Sequence, residues 1–455
     1  METKRVHFIA IGGSVMHNLA LALHQKGLIV SGSDDEFFEP SRSRLAAAGL
    51  LPADTGWHAE RITPDLDAVI LGMHATADNP ELLRAKELNI NVYSFPEYLY
   101  EQTKDKLRIV VGGSHGKTTT TSMIMHVLRA CGKDFDYMVG AQLEGFDTMV
   151  RLTREAPVAV FEGDEYLSST LDPTPKFHRY HPDIALITGI AWDHINVFPT
   201  WEGYVSQFAR FADTIEPNGK LIYFGGDSEL QKIAAKVRPD VEAIAYQGFD
   251  FRTDGDTTKI IYNGREYTVG VFGRHNMQNM HGAMLACLQI GITPDEFLQA
   301  IATFGGAAKR LQLLKHNSNS AAYLDFAHSP SKLKATTEAV RERYNKRKLL
   351  ACMELHTFSS LTKAFLPQYA HTMDAADEAI VYFNPQVIEH KRLEPINADE
   401  VATSFAHPNL RVFTDSSQLV NYLKTKDYDN TVLLIMTSGN FSGVDIKALA
   451  DELIH

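Results

Sequence analysis

The sequence predicts an α/β chain of three domains: a Rossmann-like amino-terminal domain, a central phosphate-loop domain with a parallel sheet, and a Rossmann-like carboxy-terminal domain. Three observations predict it. Apolar runs of strand length alternate with helical stretches along the whole chain. Two of those runs open onto glycine turns, at Gly12-Gly13-Ser14 and at Gly112-Gly113-Ser114. A length of 455 residues exceeds what one core usually supports, at roughly 150 residues per domain. The expected boundaries are 1–105, 106–310 and 311–455.

In the first domain Val6–Ile11 reads as a strand, Gly12-Gly13-Ser14 as a tight turn, Val15–Gln25 as a helix and Gly27 as its end. The next strand, Leu28–Val30, delivers Ser31-Gly32-Ser33-Asp34, an acid about 20 residues past the glycines as in dinucleotide-type domains. Nucleotide binding and a Rossmann-like unit with an empty crevice both satisfy that partial fingerprint. A third buried strand, Asp67–Leu71, precedes a polar loop containing His74, and the cluster at Lys104–Lys106 reads as a linker.

The central domain opens with the most informative stretch, Leu107-Arg-Ile-Val-Val-Gly-Gly-Ser-His-Gly-Lys-Thr-Thr-Thr120. An apolar strand, a glycine turn, Lys117 and a helical run Ser122–Ala130 are the parts of a phosphate cradle. Glycines admit the oxygens to the backbone, N–H groups at the helix start point at them, and Lys117 reaches the terminal phosphates. Thr118 stands where a hydroxyl ligates Mg²⁺, although Val111 replaces the first glycine of the usual pattern. Two later strands end in Glu162-Gly163-Asp164-Glu165 and in Trp192-Asp193-His194. Ligands of doubly wound sheets lie beyond the carboxyl ends of strands, so Glu162 and His194 are candidate Mg²⁺ partners facing the crevice of Lys117. Solvated carboxylates and a capping histidine are the plain alternative.

A β excursion is expected over Ala243–Phe272, turning at Asn263-Gly264. His275, Asn276 and Asn279 precede an apolar helix, Ala283–Ile290, and suit either an adenine or a helix cap. Arg310, after Lys309, could clamp a γ-phosphate on closure or form a surface ion pair. In the third domain apolar runs at Ala321–Leu324, Leu349–Met353, Ala379–Phe383 and Val432–Met436 read as strands, the first ending in Asp325-Phe-Ala-His328.

Composition narrows the partners. A formal net charge of −12 argues against a nucleic-acid backbone. Three widely spaced cysteines, Cys131, Cys287 and Cys352, make no disulfide framework or zinc site, which fits a reducing cytoplasm. The apolar run near the start breaks at Gly12-Gly13 and no 18-residue apolar stretch follows, so neither a signal peptide nor a membrane span is expected.

Taken in order, the segments GGSHGKTTT, FEGDEY, WDHINVF, GRHNMQN, KRLQ and DFAHSP resemble the Mur ligases, the ATP-dependent amide-forming enzymes of peptidoglycan assembly. The opening RVHFIAIGGSVM with VSGSD resembles the branch that accepts UDP-N-acetylmuramate. The resemblance implies an ADP-forming ligase using ATP and Mg²⁺, a cytoplasmic location, and a monomer or weak homodimer. It places Gly113, Ser114, His115, Gly116, Lys117, Thr118 and Thr119 at ATP, with His275, Asn276 and Asn279 by the adenine and Arg310 and Asp325 meeting ATP from the last domain. Thr118, Glu162 and His194 would serve the metal, and His328 would lie near the reacting groups as the best general-base candidate. Gly12, Gly13, Ser14, Ser33, Asp34 and His74 would hold the UDP-sugar, with Ala10 and His17-Asn18 departing from the family pattern there. Some members carry a carbamylated lysine beyond the metal histidine; here Ser206-Gln207-Phe208 stands in its place, as in the muramate-accepting branch.

Within that branch the stretch DEYLSSTLDPTPKFHRYHP and the loop MTSGNFSG resemble members that attach L-Ala-γ-D-Glu-meso-diaminopimelate more than those that attach L-alanine. The segment Glu354-Leu-His-Thr-Phe-Ser-Ser360 matches neither amine-side loop. Two rivals remain: an ATP-driven binding or switch protein, and a folate-adding ligase. The extra domain before the phosphate loop speaks against the second.

Overall fold

The fold is described from a computed structural model covering residues 4–73, 75–143, 145–254, 257–307 and 309–455. His74 therefore lies outside the described residues. The chain packs as two compact units, one of residues 1–190, 202–247 and 282–300, the other of 191–201, 248–281 and 301–455.

The first unit holds two sheets. Four parallel strands stand in the order Ile29–Ser33, Arg5–Ile9, Ala68–Leu71, Val92–Ser94. Val69 and Leu71 are buried against Leu82 and Ala85 of the helix Pro80–Glu87. Asn79 caps that helix by accepting from Glu81 N and Leu82 N, with Pro80 at its first position. The strand after the glycine turn runs to Ser33, three residues beyond the expected Val30.

The second sheet has seven strands, in the order Glu242–Tyr246, Lys220–Phe224, Ile184–Ile187, Leu107–Gly112, Val158–Glu162, Phe135–Met138, Val150–Arg151, parallel except for the last. Leu107–Gly112 is buried on both sides, as the apolar run Ile109–Val111 requires. Gly112 lets Phe177 and Phe211 close over the strand end: a Cβ there would lie 3.2 Å from Phe211. Those two rings stack at 4.5 Å.

The two sheets are tied by hydrogen bonds. Asn18 Oδ1 accepts from Met149 N at 3.0 Å, and the Thr170 hydroxyl donates to Ala75 O at 2.9 Å. Both sheets accordingly fall within one compact unit.

The second unit contains a six-stranded sheet in the order Gln312–His316, Ala321–Asp325, Thr431–Met436, Lys348–Leu355, Glu378–Phe383, Leu410–Phe413, with the first strand antiparallel. Alternate residues of Lys348–Leu355 enter two cores, Leu349, Ala351 and Met353 on one face and Leu350 and Cys352 on the other. A separate antiparallel trio, Asp250–Asp254, Thr257–Tyr262 and Arg265–Val269, forms the expected β excursion. Its bounds are narrower than expected, because Glu242–Tyr246 joins the seven-stranded sheet instead.

One buried cation knits the base of the first unit. Arg108, 3% exposed, donates from Nε to Tyr180 O and His181 O and from Nη1 to Thr103 O, Lys104 O and Lys106 O. Arg108→Leu strands these carbonyls and is expected to lower the unfolding free energy by at least about 3 kcal/mol in urea titration. A loss below about 1 kcal/mol contradicts that assignment.

Candidate active site

The phosphate-type loop is shaped by backbone that only glycine tolerates. Gly113 has φ +134°, and a Cβ on it would lie 2.2 Å from Thr188 Oγ1; Gly116 has φ +78° and caps the helix Lys117–Ala130. That helix begins five residues before the expected Ser122, so Lys117, Thr118 and Thr119 form its first turn. Ser114 N donates to Gly189 O at 2.9 Å, and the Thr188 hydroxyl donates to His115 O, fixing the loop to the end of Ile184–Ile187.

Lys117 Nζ donates to Gly113 O at 2.6 Å and to Glu165 Oε2 at 2.7 Å. Burial works against its charge, but Glu165, Asp164 and Glu162 outweigh it and hold the ammonium above its ordinary range. Glu165 is fully buried; its Oε1 accepts from Tyr204 at 3.2 Å, and Tyr204 also meets the Ser114 hydroxyl at 2.7 Å. One strand over, Glu162 accepts from the Thr118 hydroxyl at 2.8 Å and from Gly140 N at 2.7 Å. Lys117, Thr118 and Glu162 thus come together as the sequence suggested. Glu165 and Tyr204 were not singled out, and Tyr204 carried no motif that could have marked it.

His194 belongs to the second unit, in a left-handed backbone conformation with φ +53°. Its N–H is held by Asp193 Oδ1 at 2.8 Å, and its carbonyl accepts from Val197 N and Phe198 N. Asp193 is buried, 3.5 Å from Lys332 Nζ and 3.9 Å from His328 Nε2. Burial opposes its charge, yet Lys332 and its neighbour His194 keep the carboxylate well below the usual range. His328 Nδ1 donates to Phe326 O at 2.8 Å. Burial and Lys332 push its imidazole down to about 3, so the ring is neutral near pH 7 and a weak proton acceptor.

Two separated motifs interlock around Arg310. Lys309 and Leu311 both have positive φ, +53° and +46°, conformations that persist only where the surroundings impose them. Phe326 N donates to Lys309 O, Leu311 N to Asp325 Oδ2, and Lys309 N to Gln312 Oε1. The Arg310 guanidinium then lies over the Phe326 ring, 4.7 Å from its centroid. Asp325 is buried, which raises its carboxyl against the opposing pull of Arg310 and of Leu311 and Ala327 N–H groups.

His275, Asn276 and Asn279 do not precede a helix as expected; they lie in the opening turns of Arg274–Leu288. Asn276 Nδ2 donates to Phe272 O at 2.7 Å, and burial lowers His275 to about 4. Gly273 (φ +90°) makes this approach possible, since a Cβ would meet Ala339 Cβ at 2.6 Å.

At the amino end, Gly13 and Ser14 are exposed at the start of the helix Ser14–Gln25, where backbone N–H groups favour an anion. Asp34 is turned inward: Oδ2 accepts from Gly12 N at 2.7 Å and Oδ1 from Asp35 N at 3.0 Å. The Ser33 hydroxyl accepts from Arg61 at 2.9 Å. Both sequence-selected residues therefore shape the turn. Burial lifts the Asp34 carboxyl to about 6.

Comparison with known proteins places these features in one family. Residues 5–106 match the Mur ligase family catalytic domain, 111–287 the Mur ligase middle domain, and 309–439 the Mur ligase glutamate ligase domain. A UDP-N-acetylmuramate–L-alanine ligase of Streptococcus gordonii is 30% identical over 453 residues, covering 92% of this chain and 96% of the relative. The chain belongs to the Mur ligase family. It is accordingly an ATP-dependent, ADP-forming ligase. Among solved structures it is similar to the UDP-N-acetylmuramate–alanine ligase of Thermotoga maritima, with TM-score 0.68, 21% identity and coverage of 99% of this chain and 98% of that one. It is also similar to the UDP-N-acetylmuramate:L-alanyl-γ-D-glutamyl-meso-diaminopimelate ligase of Neisseria meningitides, with TM-score 0.60, 26% identity and coverage of 67% of this chain and 98% of that one. The three-domain α/β architecture expected from the sequence is that of the family. No helix among the described residues is long and apolar enough to cross a membrane.

Because folding raises the Asp34 carboxyl from 3.8 to about 6, the native state binds that proton more tightly than the unfolded chain. Stability from this group is fullest at low pH and is lost as pH rises from about 4 to about 6. Relative to Asp34→Asn, the wild type should lose urea resistance across that window and run parallel above it. Parallel curves throughout would contradict the burial argument.

Proposed function

We propose that the protein joins the lactyl carboxylate of UDP-N-acetylmuramate to the amine of L-Ala-γ-D-Glu-meso-diaminopimelate, using ATP, through an acyl phosphate. The observation that carries this reading is the loop at 112–119, with Lys117 beside Glu165 and the Thr118 hydroxyl on Glu162. The segment after Glu162 and the Neisseria relative favour the tripeptide as amine donor. The Streptococcus relative favours a second reading, in which L-alanine is the donor. The domains are assigned as 1–105 for the UDP-sugar, 106–310 for ATP and 311–455 for the amine and closure over ATP.

The chemistry follows from the groups present. A free carboxylate does not accept an amine, because its oxygen is a poor leaving group. Phosphorylation by the γ-phosphoryl of ATP converts that oxygen into a good one, and the amine then displaces phosphate through a tetrahedral intermediate. Backbone N–H groups at Gly113–Thr119 and the ammonium of Lys117 receive the charge that spreads over the phosphoryl oxygens. The cradle fits a phosphate chain, since the loop is built around glycines that keep side chains out of it and ends in a partly buried cation. Thr118, Glu162 and His194 are oxygen and imidazole donors of the kind that would hold Mg²⁺, which supplies charge neutralisation at the phosphates. Gly12, Gly13 and Ser14 are assigned to the diphosphate of the sugar nucleotide at a helix start, and His74 to the same ligand. His275, Asn276 and Asn279 are assigned to the adenine, and Arg310 and Asp325 to the nucleotide from the last domain. His328 is assigned a place by the reacting groups. A reducing cytoplasmic setting suits the free cysteines.

The test mixes protein, Mg-ATP and UDP-N-acetylmuramate with either donor. Phosphate release with the tripeptide alone supports the first reading; release with L-alanine alone supports the second, and release without sugar nucleotide removes both. Lys117→Ala should lower the rate at least about 10²-fold. Near-normal turnover would take Lys117 out of the mechanism.

A further inference from the structure

His17 and Asn18, the pair that departs from the family pattern in the first domain, lie in the helix Ser14–Gln25 and are almost wholly enclosed, at 2% and 0% exposure. Large polar side chains in such a place need partners. His17 Nδ1 donates to Gly13 O at 2.9 Å, and its Nε2 accepts from Asn18 Nδ2 at 3.0 Å. That pattern requires a neutral ring. Burial, helped by Arg44, keeps the imidazole below its ordinary range against the pull of the Gly13 bond. The second proton of Asn18 Nδ2 goes to Ser14 O at 2.8 Å, while Oδ1 accepts from Met149 N at 3.0 Å and from Arg44 Nη1 at 3.3 Å. Every hydrogen-bonding position of the amide is thus used.

What these side chains grip is the start of the helix. A peptide unit joins the carbonyl of one residue to the N–H of the next in one plane, so the two ends turn together. Gly13 O and Ser14 N share one such unit, and Ser14 O and Val15 N share the next. The carbonyl ends are held by His17 and Asn18; the N–H ends, at a helix start with no side-chain cap, donate to no group among the described residues. Those two N–H groups are therefore aimed outward, and a donor on each carbonyl polarises its amide further toward an anion. Asn18 also ties this turn to the seven-stranded sheet, because Met149 immediately precedes the strand Val150–Arg151. Arg44 strengthens the tie, donating from Nη2 to Gln142 Oε1 and Asp147 O at 3.3 Å.

We infer that His17 and Asn18 are positioning residues for the sugar nucleotide, a role that rests on the ligase reading already proposed. They aim the Ser14 and Val15 N–H groups at its diphosphate, and Asn18 keeps that turn in register with the sheet that carries Lys117. The two positions at which this chain departs from the family motif thereby acquire a function.

Calorimetry of UDP-N-acetylmuramate binding without ATP reads affinity apart from turnover. His17→Phe keeps a ring and loses both nitrogens; Asn18→Asp keeps an acceptor for Met149 and Arg44 and loses the donors to Ser14 and His17. Each should raise the Kd of UDP-N-acetylmuramate about 5- to 30-fold while changing the Kd of ATP less than about twofold. Asn18→Ala also releases Met149, and at saturating substrates its kcat should fall at least about threefold below that of Asn18→Asp. Unchanged sugar-nucleotide affinity in either of the first two variants would remove that residue from the role, and equal kcat values in the two Asn18 variants would remove the register tie. A parallel loss of affinity for ATP and sugar nucleotide would overturn the proposal in favour of ordinary buried packing. A wild type that binds UDP-N-acetylmuramate but releases no phosphate with Mg-ATP and either amine donor would overturn the ligase reading alone, since the affinities still decide the part of His17 and Asn18. A wild type that does not bind the sugar nucleotide would overturn both.

Discussion

The organising constraint is a partly buried cation that has to be kept charged. Lys117 lies in the first turn of a helix, at the end of a strand buried on both faces, where an ammonium without partners would lose its proton. Glu165 prevents this, and Tyr204 in turn holds Glu165 by its other oxygen. The pair adds little to stability, because desolvating both ions offsets their attraction. What it fixes is position: the ammonium is held between Gly113 O and Glu165 Oε2.

The same logic extends to the neighbouring strands. Glu162 is held by the Thr118 hydroxyl and by Gly140 N. In the second unit, Asp193 is held by Lys332 and by the backbone of His194, and the left-handed conformation of His194 is braced by Val197 and Phe198 N–H groups. Arg310 is set by strained backbone on both sides, locked by Asp325, Phe326 and Gln312. In each case a group to which a chemical task is assigned is fixed in place by its neighbours' hydrogen bonds or charge.

The fold was legible because period and punctuation agree along this chain. Buried parallel strands read as apolar runs, and glycine turns mark where strand becomes helix. Lys117, Thr118 and Glu162 were legible for the same reason, since Lys117 and Thr118 open the helix that follows the glycine turn and Glu162 ends a strand. The rest depends on contacts between residues distant in sequence. Tyr204 reaches Glu165 from a helix whose own pattern is ordinary amphipathic spacing. Lys332 reads as one more surface lysine until the loop at 193 is placed beside it. The interlock of 309–312 with 325–326 follows from pairing Gln312–His316 against Ala321–Asp325, a register no local signal announces. The helix at 274 misled because its first turns are polar; it begins where the polar residues are, not after them.

The central claim is that one carboxylate oxygen of the sugar nucleotide leaves as part of the released phosphate. The most direct measurement is isotope transfer from UDP-N-acetylmuramate labelled with ¹⁸O in its lactyl carboxylate, followed by mass analysis of the phosphate formed during turnover with Mg-ATP and the amine donor. The account predicts one ¹⁸O atom in each phosphate and one retained in the amide. Phosphate carrying no label, with ATP consumed, would mean that the loop at Lys117 hydrolyses ATP without activating the acid.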